Sequence, residues 1–109
     1  MRSLLFVVLL LAQGLCHAGV REDCAADARD RAAKLLAFHF GSAEDFSIDD
    51  EVKLLPPLRN PANSKQMLDV LEVRGFLYKG QYRMRFIYGR VPSSPCTLVG
   101  QEILEFATL

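Results

Sequence analysis

The chain has 109 residues, with thirteen basic and thirteen acidic side chains, and half of its residues are hydrophobic. Charge this even, with no polybasic stretch, excludes the concentrated positive footprint that nucleic acid or an anionic membrane surface requires. The length suits one small domain with a modest core.

Residues 1–18 read as a secretory signal. Arg2 gives a short positive start, Leu4 to Ala12 ("LLFVVLLLA") an apolar run, and Cys16 and Ala18 the small residues that flank a cleavage site. The run is too short to cross a bilayer core of about 30 Å as a helix. An uncleaved anchor or a lipidated Cys16 are the alternatives, although Leu15 stands where a small residue normally precedes a lipidated cysteine. Cleavage after Ala18 leaves Gly19 to Leu109 as one domain of 91 residues with no membrane span, twelve basic against thirteen acidic groups, and two cysteines, Cys24 and Cys96. In an exported chain these two pair. A loop this long adds roughly 4 kcal/mol by the chain-entropy model. The compartment expected is the periplasm if the source is bacterial, and otherwise the extracellular space.

A helix is expected over Glu22–Phe40, which is rich in Ala, Leu, Arg and Lys, starts with two acids and is followed by Gly41. Its apolar stripe is expected to run through Cys24, Ala28, Leu35 and Phe38 or His39. A first strand is expected around Ile48–Leu55, ended by Pro56 and Pro57 and placed at a sheet edge. Residues 56–65 read as a loop.

Met67–Tyr78 and Gln81–Val91 form a hairpin, with Lys79-Gly80 as its turn. That turn pairs Leu77 with Tyr82, Gly75 with Met84, Val73 with Phe86 and Leu71 with Tyr88, all on one face. A slip of one residue would scatter them over both faces. The other face then pairs Phe76 with Arg83 and Arg74 with Arg85. Cys96–Phe106 is the last strand, with a bulge or kink at Gly100-Gln101 where its alternation breaks.

The fold expected is therefore α+β: one N-terminal helix packed on a four-stranded antiparallel β-meander. In outline this resembles the cystatins, but the chain has no Gln-Val-Gly motif of theirs. A Cys24–Cys96 bridge would clamp the helix to the last strand.

The mature part has one histidine, His39, with no nucleophile motif, phosphate loop or zinc spacing beside it. Asp45, Ser47 and Asp49 begin like a calcium loop, but Asp50 stands in place of the required glycine and Pro56 in place of the closing glutamate. No cofactor, metal or catalytic residue is expected. The partner-binding candidates are Arg74, Phe76, Arg83 and Arg85. These put an aromatic among three cations on one hairpin face and suit a protein partner with an acidic surface.

The function expected is a small exported, non-enzymatic binding module, of inhibitor or immunity type. The alternatives are a small hydrolase using carboxylates of the Asp45–Glu51 run, and a structural accessory of an envelope assembly. The sequence does not set the oligomeric state.

Overall fold

The computed structural model describes residues 19–41, 45–77 and 80–106, with side chains from Cys24 onward. Residues 1–18, expected as a signal, and Tyr78 and Lys79 lie outside these. Helix α1 (Gly19–Phe40) is followed by strands β1 (Phe46–Asn60), β2 (Asn63–Leu77), β3 (Gly80–Val91) and β4 (Ser94–Phe106). The strands form one antiparallel sheet in the order β1-β2-β3-β4, with α1 against one face. We call that face inner and the opposite face outer. Among the described residues no helix is long and apolar enough to cross a membrane.

The helix ends as its sequence dictates. Gly41 takes φ +76°, and its N–H donates to the Phe38 carbonyl. The buried stripe differs from the one expected: Cys24, Ala28, Ala32 and Leu36 are buried, at strict four-residue spacing. Leu35 is half-buried beside them, while Phe38 is 84% exposed and His39 is exposed. Two alanines at the contact let the helix approach closely, and Leu36 drops into the space above Gly75. A β-carbon on Gly75 would lie 3.0 Å from Leu36 Cδ2. Leu36 rather than Phe38 therefore fills the depression at that end of the helix.

Leu71, Val73, Tyr82, Met84, Phe86 and Tyr88 complete the core, as their alternation predicts. The hairpin register is shifted by two residues from the one expected. Gly80 pairs with Leu77 and so belongs to β3, not to the turn. Gly75 then faces Tyr82, Val73 faces Met84, and Leu71 faces Phe86. A shift of two leaves every side chain on its expected face. On the outer face it replaces Arg74–Arg85 with Arg74–Arg83 and brings Glu72 opposite Arg85, so that one arginine pair remains and an attractive pair is gained beside it.

β1 is an edge strand, as expected, but the prolines do not end it. Pro56 and Pro57 sit in an irregularity between Leu55 and Leu58, and pairing continues to Asn60. An edge strand tolerates this because one row of its backbone N–H groups has no ladder partner to lose. Residues 63–66 therefore belong to β2, not to a loop. The β4 bulge is at Val99, between Leu98, which pairs with Tyr88, and Gly100, which pairs with Ile87.

Cys24 and Cys96 form a disulfide with a Cα–Cα distance of 5.4 Å. It ties the start of α1 to β4. A second tie is polar: Tyr88 Oη donates to Asp27 Oδ2 at 2.9 Å, and Arg31 Nε donates to the same oxygen at 2.7 Å.

Candidate protein-binding face

The outer face carries no helix, and the register orders it into rows. Leu55, Val70, Ile87 and Gly100 form an apolar row. Next to it, Lys53, Glu72, Arg85 and Glu102 alternate in charge across all four strands. The third row holds Arg74, Arg83 and Leu104. The fourth holds Ser47, Phe76, Gln81 and Phe106.

Glu72 is the hub, although its carboxylate was not singled out from the sequence. It is 4% exposed. Arg85 Nε donates to its Oε1 at 3.0 Å, Arg83 Nε lies 3.9 Å from the same oxygen, and Arg74 Nε lies 3.5 Å from Oε2. Arg85 also reaches Glu102 at 3.9 Å. A buried carboxylate is tolerated only when paired, and Glu72 has three partners. Its place at i−2 from Arg74, on the same strand face, was the available signal.

Three guanidinium groups thus meet Glu72 and Glu102, while Lys53, Asp49 and Glu51 stand on the same face, so the charges balance over the face as a whole. Locally, two like charges oppose each other on the Arg74–Arg83 row, where β1 is bulged between Ile48 and Val52 and offers no directly paired residue. The Nε atoms of Arg74 and Arg83 are buried and make no hydrogen bond among the described residues. Both guanidinium groups instead lie over the ring of Phe106, at 4.9 and 5.7 Å from its centroid. Phe106 shares the outer parity of Glu102 and Leu104, and it is a second residue that the sequence reading missed.

All four residues proposed from the sequence lie on this face. Phe76, 38% exposed, adjoins the two stacked arginines, while Arg85 is turned into the Glu72 pair. The acidic run enters β1, within the strand expected around Ile48–Leu55, so Asp49 and Glu51 line the same groove as Arg74 and Phe76. At the other end Leu55, Pro57 and Leu58 border an apolar trough floored by Val70 and Ile87. Among the described residues no cluster of His, Cys, Asp or Glu could hold a metal.

No family model, curated protein or solved structure matches the chain. The cystatin outline therefore rests on the order of its elements alone.

Proposed function

We propose that this protein is a small exported, non-enzymatic binding module, of inhibitor or immunity type, whose outer sheet face grips an acidic segment of a protein partner. The observation that carries this reading is the Arg74–Arg83 pair. Its two like charges lie on one aromatic ring with both Nε atoms unsatisfied, beside an exposed Phe76. Like charges placed opposite each other weaken a sheet. An incoming carboxylate would relieve the local repulsion of this pair and occupy free guanidinium donors. Phe76 supplies contact area at low rotamer cost.

Export rests on the N-terminal signal features and accords with the Cys24–Cys96 disulfide, which forms and persists in oxidising compartments. The apolar trough beyond Arg85 extends the face and would take an aliphatic side chain of the same partner.

The test is capture of a partner from the native exported fraction on the immobilised, disulfide-bonded protein. It is repeated with Phe76→Ala/Arg83→Ala and with Asp49→Ala/Asp50→Ala. Binding lost with the first pair supports the assignment. Binding lost only with the second moves the site to the acidic end of β1.

A further inference from the structure

The two edges of the sheet are not alike. β1 is blunted by Pro56, Pro57, three register irregularities and the charges Asp49, Asp50, Glu51 and Lys53. Proteins guard exposed strand edges by such means. β4 has no comparable guard. From Gly100 to Phe106 it runs in unbroken register with β3, without proline or a basic residue, and Leu104 on it is 45% exposed.

We propose that this edge pairs with the same edge of a second copy of the chain. The strands would run antiparallel about a two-fold axis at Ile103 and give a continuous eight-stranded sheet. Among axes at Gln101, Glu102 and Ile103, the sequence of the strand favours the last. An axis at Glu102 sets two carboxylates face to face, and an axis at Gln101 runs into the Val99 bulge. Centred on Ile103, Gly100 faces the partner's Phe106, Gln101 faces the partner's Glu105, and Glu102 faces the partner's Leu104. No like charges are opposed, and every pair keeps its face of the sheet. Ile103 meets its own symmetry mate, as an isologous interface requires.

A second feature supports this register. On the inner side, a groove between α1 and the β4 edge is lined by Arg31, Lys34, Leu35, Phe38 and Gln101. Because the partner's Glu105 comes to lie opposite Gln101, its carboxylate enters this groove beside two cations. The same happens at the symmetry-related site. Arg31 and Lys34 are each paired with an acid one turn earlier, Asp27 at 2.7 Å and Asp30 at 3.2 Å, and it is their remaining donors that face the partner's acidic strand, at both symmetry-related sites. The exposed Phe38 ring stands at its border and would be partly covered.

The experiment measures the mass of the disulfide-bonded protein by light scattering and sedimentation over a wide concentration range. The expected result is a reversible species of twice the chain mass. Glu105→Lys should weaken association at least about tenfold, by setting like charges together in both grooves. Lys34→Glu added to Glu105→Lys should restore it by exchanging the signs. Both positions are exposed, and circular dichroism would confirm that the variants fold. A single-chain mass at every concentration would overturn the proposal. So would a dimer indifferent to Glu105→Lys, or one that the double exchange does not restore. None of these results depends on the outer face, so they stand apart from the capture experiment.

Discussion

Tyr88, near the C-terminal end of β3, and Asp27, in the first turns of α1, are joined by a 2.9 Å hydrogen bond across the helix–sheet interface. Tyr88 is 1% exposed, so its hydroxyl has no water to turn to. Tyr88→Phe keeps the ring and removes the bond, leaving Asp27 with Arg31 alone. The expected cost is about 1–2 kcal/mol in urea unfolding.

The same pair predicts how stability depends on pH. Burial raises the Asp27 carboxyl, but the hydrogen bonds from Arg31 and Tyr88 outweigh it and hold the group below its ordinary value of 3.8. The unfolded chain then binds a proton near pH 4 that the native state refuses. Stability should fall as pH drops through that range. Burial, reinforced by the Asp27 hydrogen bond and charge, raises the Tyr88 phenol well above its ordinary value of 10.0. Above that pH the unfolded state loses a proton that the native state keeps, so stability should fall on the alkaline side too. Unfolding free energies from pH 3 to 11 would check both flanks. In Tyr88→Phe the alkaline flank should flatten and the acid flank shrink.

Gly75 is where the helix comes closest to the sheet. A β-carbon there would lie 3.0 Å from Leu36 Cδ2 and 3.0 Å from Met84 Cε. Gly75→Val should cost roughly 1–3 kcal/mol through overpacking. At Gly100 the nearest contact to an added β-carbon is Ile87 Cδ1 at 3.5 Å, an ordinary separation. Gly100→Ala should be tolerated, and thermal unfolding of the two variants would show the difference.

Phe86 and Arg85 are neighbours on opposite faces, and they separate what the sequence shows from what it hides. Phe86→Ala should cost about 3–5 kcal/mol, since its ring is buried at the centre of the inner face. Parity alone would make Arg85 a cheap surface position. Among the described residues the structure makes it the one hydrogen-bond donor to buried Glu72, so Arg85→Ala should cost roughly 1–3 kcal/mol. Glu102→Ala, on the exposed side of the same row, should stay within about 0.5 kcal/mol. Denaturant midpoints of the three variants give the order directly.

That contrast marks how far the sequence could be read. Alternation along Tyr82–Tyr88 sufficed to assign the faces, because period two is insensitive to an even shift. It could not fix the register itself, because two registers that differ by two residues bury the same side chains. Only the one that pairs Leu77 with Gly80 opposes Glu72 to Arg85, so the hub of the outer face stayed hidden. Pro56 and Pro57 concealed the second half of β1, since a proline reads as a terminator unless the strand is known to lie at an edge. The Cys24–Cys96 bridge was legible because only two cysteines follow residue 18. The stacking of Arg74 and Arg83 on Phe106 was not, because it depends on a β3–β4 register displaced by the Val99 bulge.

The claim that the Arg74–Arg83 row and Phe76 form the partner-binding face is tested most directly by following the arginine Nε–H and backbone amide resonances during titration with the captured partner. The account predicts that Arg74 and Arg83 Nε–H signals shift, together with the amides of Phe76, Gln81 and Phe106, and that affinity falls as salt is raised. Shifts confined to α1, or to Asp49–Glu51 with the arginine signals unmoved, would contradict it.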